Sequence, residues 1–146
     1  MNDLLFSDAT EQDAAAIASI EEVSFPVPWT QEMILSEMRE PLSFFRVVFY
    51  QEKVVGYYGF LHIFDELHIL NIAVDPTMRG RGVGSALITD LLKKARSLSV
   101  RALTLEVRES NAPAIRLYEK FGFKCAGVRP HYYTDKENAL IYWLEL

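Results

Sequence analysis

Cysteine is nearly missing from this sequence. Cys125 is the only one, so no disulfide can form within the chain, and a reducing cytoplasm is its expected home. Long apolar runs are missing as well: none approaches the roughly 18 to 20 residues needed to cross a bilayer, and no membrane partner is expected. Met1 to Thr10 hold two acidic residues and no basic n-region, so the segment is not expected to act as a secretory signal. Basic residues are outnumbered, 15 Lys and Arg against 20 Asp and Glu, for a net charge of −5. That balance argues against a general nucleic-acid binder, which would present a basic face, and would suit a basic peptide partner, though whole-chain charge says little about a site. His62, His68, His131 and Cys125 show no metal-ligand spacing, and no bound metal is expected.

What remains is ordinary globular material. At 146 residues, half of them hydrophobic, the chain has the size of one domain, residues 1–146, with room for one sizeable core. Such a compact length allows a monomer, which is the expected state. Residues 4–7 read as a short strand. Thr10 with Asp13 opens a helix as a capping-box-like pair, and Ala14, Ile17, Ile20 and Val23 form its apolar stripe. Residues before proline leave the α region, so Phe25-Pro26-Val27-Pro28 is extended. Thr30 then caps a second helix through about Met38, with Trp29 and Ile34 as a hydrophobic staple.

Two β-branched and aromatic runs, 44–50 and 54–63, flank Gln51-Glu52-Lys53 and read as a hairpin, with 66–74 a third strand. Val83, Ala86, Leu87, Leu91 and Ala95 recur at helical spacing, and Lys93, Lys94 and Arg96 suit that helix's C-terminal end. Residues 102–107 form a compact strand. Pro113 opens a short helix that Gly122 ends, and 128–133 and 140–146 read as closing strands. The order β-α-α-β-β-β-α-β-α-β-β predicts an α/β fold, with a mixed sheet of about seven strands and about four flanking helices.

The sharpest local pattern is Val74-Asp75-Pro76-Thr77-Met78-Arg79-Gly80-Arg81-Gly82-Val83-Gly84-Ser85, a strand running through a glycine-rich turn into a helix. Amide groups at a helix N-terminus are unpaired and carry partial positive charge, so they can cradle a diphosphate. Glycines let that backbone approach phosphate oxygens. Arg79 and Arg81 add charge, and no acid stands in the first helical turn to repel an anion. The dinucleotide fingerprint fails because Ser85 stands where a third glycine belongs. The P-loop fails because no Gly-Lys-Ser/Thr occurs. An ordinary glycine-capped turn is the plainer reading, but three alternating glycines beside two arginines exceed what a turn requires.

Arg79-x-x-Gly82-x-Gly84 after Asn71-Ile72-Ala73-Val74-Asp75 resembles the acetyl-CoA motif of the GNAT superfamily. The resemblance implies the GNAT fold, acetyl-CoA as cosubstrate, a diphosphate held by the amides of Arg79, Gly80, Arg81, Gly82, Val83, Gly84 and Ser85, and pantetheine and acetyl carbonyl held by the backbone of Ile72, Ala73 and Val74.

Downstream, alternation along 103–108 puts Leu103, Leu105 and Val107 on one face and Thr104, Glu106 and Arg108 on the other. An acid at the end of a buried strand suits either a solvated end paired with Arg108 or a face that opens on a cavity. In the second case Glu106 can take a proton from an amine, because only the neutral amine attacks a thioester. Tyr118, on the following helix, can return a proton to the departing thiolate; a half-buried packing role is the competing reading.

Leu105-Glu106-Val107-Arg108-x-Ser110-Asn111-x-x-Ala114-x-x-Leu117-Tyr118-x-x-x-Gly122-Phe123 is similar to the RimI branch of that superfamily, enzymes that acetylate protein N-termini. The resemblance implies that Glu106 is the general base, Tyr118 the general acid near the cofactor sulfur, and Asn111 a cofactor contact. It implies a protein or peptide N-terminus as partner, with a ribosomal protein one candidate. Phe25-Pro-x-Pro-Trp29 and Arg129-x-x-Tyr132-Tyr133 resemble features flanking the acceptor, which makes Trp29, Tyr132 and Tyr133 substrate-side candidates. His131 replaces the Asn usual before that Tyr pair, which bears on the acceptor contacts.

Three other readings compete. Covalent catalysis would need an activated Cys125, whose place after a turn suits a small buried residue instead. A small-molecule amine could replace the peptide acceptor. A non-catalytic acyl-CoA sensor would keep the loop but lack a base or an acid, and both Glu106 and Tyr118 are present.

Overall fold

The computed structural model describes residues 3–146. Local signals place the elements. Thr10 N–H donates to Asp13 Oδ2 at 2.8 Å, closing a 3-10 turn that leads into α1 (Ala14–Ser24). Thr30 Oγ1 accepts from Met33 N–H at 3.2 Å and opens α2 (Gln31–Met38), with Trp29 and Ile34 in one apolar cluster. Strand β1 (Leu4–Asp8) pairs with β2 (Ser43–Tyr50). Gln51 and Glu52, both at positive φ, turn β2 into β3 (Lys53–Ile63), the left-handed pair a two-residue hairpin needs. Then come β4 (Glu66–Val74), α3 (Val83–Ser97), β5 (Ala102–Arg108), α4 (Ala112–Lys120), β6 (Lys124–Arg129) and β7 (Ala139–Glu145). The order of strands and helices is the one the sequence patterns predict.

The seven described strands form one sheet in the order β1-β2-β3-β4-β5-β7-β6. Every pairing is antiparallel except β4 with β5. Neighbouring side chains of β2 and β3 enter opposite layers, Val48 and Tyr58 to one cluster and Val47 and Tyr57 to the other, as the period of two requires. One layer packs Leu87, Ile88, Leu91 and Ala95 of α3 with Tyr118 of α4; the other packs Ala14, Ile17 and Ile20 of α1 with Ile34 of α2. Each fully buried Leu or Ile contributes about 1.5–3 kcal/mol.

Three expectations are corrected. Val23 is 61% exposed, and the inward position of α1 is instead Glu21, 1% exposed. At 3.6 residues per turn the stripe that begins at Ala14 and Ile17 continues through Ile20 and Glu21, and Val23 falls well off it. The sixth strand spans Lys124–Arg129 rather than 128–133, because Pro130 offers no N–H to continue a ladder. Cys125 is exposed rather than buried, since β6 is an edge strand.

Candidate active site

Strands β4 and β5 pair only over residues 66–68 and 102–104 and then diverge. Beyond that point the β5-facing edge of β4 has lost its ladder partner, and Ile72, Ala73 and Val74 line a cavity of about 550 Å³. Its floor continues along Arg79, Gly80, Gly82, Gly84 and Ser85, at the opening turn of α3. Gly82 sits at φ +83 and a Cβ there would meet nothing within 4 Å, so the turn's outer surface is bare backbone. No side chain caps α3 and its first turn holds no acid, leaving its first amides free for an anion. Gly84 has a different reason to be glycine: a Cβ would lie 2.9 Å from Leu117 Cδ2, so its absence lets α3 approach α4.

Arg79 reaches this cavity, with Nη2 3.5 Å from Ser24 Oγ. Arg81 does not; its guanidinium lies over the Tyr50 ring at 5.6 Å. The Val83 side chain is core, 1% exposed. Neither position lines the cavity. Asn111 lines it while its Oδ1 accepts Ala114 N–H at 3.3 Å and caps α4.

A second cavity, about 470 Å³, lies on the other side of the same cleft, and Glu106, Trp29, Tyr132 and Tyr133 line it. Phe25, Ile72, Arg108, Asn111 and Tyr118 border both, so the two adjoin along these residues. Glu106 points away from the Leu103, Leu105 and Val107 face and meets Arg129 Nε at 3.4 Å, not the neighbouring Arg108. Tyr118 is 7% exposed. Burial and then the adjacent Tyr133 push its hydroxyl well above the ordinary tyrosine range, so it keeps its proton at neutral pH.

Tyr132, Tyr133 and Thr134 give the second cavity one wall, and Arg108 fixes the loop that carries them. Its guanidinium meets Asp135 at 2.8 Å and Glu137 at 3.0 Å and lies 4.1 Å from the Tyr133 ring centroid. Burial, eased by the Arg108 charge, holds the Tyr133 hydroxyl up at about 12. His131 sits at φ +52, donates its N–H to Asn138 Oδ1 at 3.0 Å and sets Nδ1 3.0 Å from the Lys136 carbonyl. His is, like Asn, enriched in that left-handed region, so His131 suits the turn. Contacts with Ser110 and then Arg108 hold the Glu137 carboxyl below its ordinary value near 4.5. A depressed acid contributes stability above the unfolded-chain value and loses it as pH falls through the native one. Ser110 N–H donates to Glu137 at 2.8 Å; its hydrogen exchange, corrected for intrinsic rate, is expected to hold steady above the ordinary carboxyl value and to accelerate as pH falls below it.

The sequence patterns did not find Glu21. Its carboxylate accepts Trp29 N–H at 3.0 Å, Asn71 Nδ2–H at 3.1 Å and the Tyr57 hydroxyl, and it lines the second cavity. Burial raises this carboxyl, and the Tyr57 and Trp29 donors oppose the shift. The available signal was its place one residue after Ile20 on an otherwise apolar helix face.

Comparison with known proteins agrees with this geometry. Residues 14–123 match the model of the acetyltransferase (GNAT) family. The [ribosomal protein bS18]-alanine N-acetyltransferase of Escherichia coli strain K12 is 36% identical over 88% of this chain and 88% of its own. An N-alpha-acetyltransferase of Sulfurisphaera tokodaii is 32% identical over 88% of this chain and 85% of its own. The crystal structure of the E. coli ribosomal-protein-S18-alanine N-acetyltransferase superposes with a TM-score of 0.90 at 33% identity, covering 97% of this chain and 93% of that one. With a splayed mixed sheet, a glycine turn at the head of α3 and relatives that are N-acetyltransferases over nearly their whole length, this chain belongs to the GNAT family of acetyltransferases.

Proposed function

We propose that the protein transfers the acetyl group of acetyl-CoA to the N-terminal α-amino group of a protein, by direct attack with both substrates bound. The carrying observation is the meeting of two cavities at Tyr118, one floored by an anion-binding turn and the other holding Glu106. Bare backbone at Gly80 and Gly82 with an uncapped α3 fits a diphosphate, and the free edge of Ile72 to Val74 fits the amides of a pantetheine arm. When bound, acetyl-CoA supplies an activated thioester. The chain's own residues supply proton handling and position. An α-amine has a pKa near about 8 and is mostly protonated at neutral pH; Glu106 accepts that proton, directly or through a water. Tyr118, which holds its proton, donates from Oη toward the departing sulfur. Asn111 borders both pockets and contacts the cofactor, while Trp29, Tyr132 and Tyr133 flank the acceptor.

The acceptor reading draws on the names of the E. coli and Sulfurisphaera relatives. A ribosomal protein with an N-terminal alanine is the proposed acceptor, met in the cytoplasm by a monomeric enzyme. The test is acetyl-CoA turnover against short peptides that differ in their first two residues, with free lysine and spermidine as controls. Alanine-starting peptides are expected to exceed the small amines in kcat/KM by about tenfold or more, the worth of one or two contacts beyond the amine. Spermidine or lysine turning over faster than every peptide would replace this reading with a small-molecule acceptor.

A further inference from the structure

Glu21 is buried at 1% exposure, and no described Lys, Arg or His pairs with it. Three donors from three places, Trp29 N–H, the Tyr57 hydroxyl of β3 and the Asn71 amide of β4, converge on its two oxygens. All three are placed to donate, an arrangement that favours the ionised carboxylate against the cost of its burial. A carboxylate offers about four lone-pair sites, so one remains, and the side chain borders the acceptor cavity. The other charges there are matched, Glu106 by Arg129 and Arg108 by Asp135 and Glu137. An uncompensated buried charge is costly, and here it is held by three donors without a cation. A cation entering the cavity would supply the missing partner.

Glu21 also grips the cavity wall at both ends. Its carbonyl accepts Phe25 N–H at 3.0 Å and its carboxylate accepts Trp29 N–H at 3.0 Å. Between them Pro26 and Pro28 have no N–H to give, so these two bonds anchor the segment that carries Phe25, Val27 and Trp29 into the cavity.

We propose that Glu21 is a positioning residue for the acceptor: its carboxylate draws a cationic amine into the groove and its hold on the 25–29 segment fixes the wall along which the peptide lies. The inference rests on the acetyl-transfer reading above. It differs from the role given to Glu106, since Glu21 attracts the ammonium and Glu106 removes its proton.

The experiment is calorimetry on the enzyme–CoA complex with an alanine-starting peptide and with the same peptide N-acetylated, which has no terminal charge. The wild-type protein is expected to bind the free-amine peptide about tenfold or more tightly than the acetylated one, a factor within reach of one partly buried ion pair. Glu21→Gln is expected to weaken the free-amine peptide about tenfold and leave the acetylated one within about twofold, abolishing the preference. Glu21→Met, which removes the charge and also frees Trp29 N–H, is expected to weaken both peptides while still abolishing the preference between them, and serves if the Gln variant melts early. Equal weakening of both peptides would reduce Glu21 to scaffolding, and an unchanged preference in the variants, or no preference in the wild type, would overturn the proposal. Absence of acetyl transfer to every peptide and amine would instead sink the function proposed above. Transfer that persists with the preference intact in Glu21→Gln sinks only this inference.

Discussion

Glu106→Gln is expected to lower peptide turnover at neutral pH by about 10²- to 10⁴-fold, the usual worth of a general base, while coenzyme A binds as before. The substitution keeps shape and one hydrogen-bonding oxygen and removes only the ability to take a proton. Glu106 lies on the outward face of β5, with Leu103, Leu105 and Val107 buried on the other, so the change leaves the core alone. The Arg129 contact at 3.4 Å is long and its guanidinium is 54% exposed, so its loss bears little on stability. The pH–rate profile is the decisive readout. In the wild type kcat/KM is expected to climb as pH rises through the ionisation of the essential base and the amine. The Gln variant is expected to lose the limb that belongs to the base and to recover rate only where free amine accumulates, above about pH 8. A profile of unchanged shape would assign the proton to another group, with Glu21 the next carboxylate in the same cavity.

The second large effect is at the head of α3. Gly82→Asp is expected to weaken acetyl-CoA binding by about 10²-fold, because a carboxylate a few ångströms from a diphosphate is repelled by several kcal/mol at an effective dielectric of about 20. Gly82→Asn separates charge from backbone. Asn and Asp have nearly the same size and both visit the left-handed region that φ +83 demands. Neither Cβ would meet an atom within 4 Å, so neither repacks the protein, and both carry the same strain of that φ. Asn is therefore expected to cost only a few-fold, and the ratio of the two affinities, read by calorimetry, isolates the electrostatic contribution. Equal affinity in Gly, Asn and Asp forms would remove the turn from the binding site.

Both predictions stand on features legible in the chain, and their limits follow from the same physics. Alternation along 103–108 places Glu106 opposite a buried face, and the structure keeps it there. Positive φ at Gly80 and Gly82 is what alternating glycines before a helix require. At Arg81 and Val83 the pattern could say only that amides face an anion. Packing over Tyr50 turned one side chain away, and the core took the other. The tyrosine pair shows the same boundary. A β-rich run suggested a strand through Tyr133, whereas Pro130 ends it and Arg108, 25 residues before Tyr133 in the chain, binds the following loop through Asp135 and Glu137. No local preference encodes that contact.

The sequence alone determined the succession of strands and helices, the caps at Thr10 and Thr30, the hairpin at Gln51-Glu52 and the bare turn before α3. Each depends on backbone angles and hydrogen bonds among residues a few positions apart. Tertiary structure alone decided where β4 and β5 part, that two cavities adjoin beside Tyr118, and that helix α1 turns Glu21 rather than Val23 inward against Tyr57 and Asn71. Those outcomes depend on which surfaces far apart in the chain exclude water together. Burial of a carboxylate is settled by the donors that other strands bring to it.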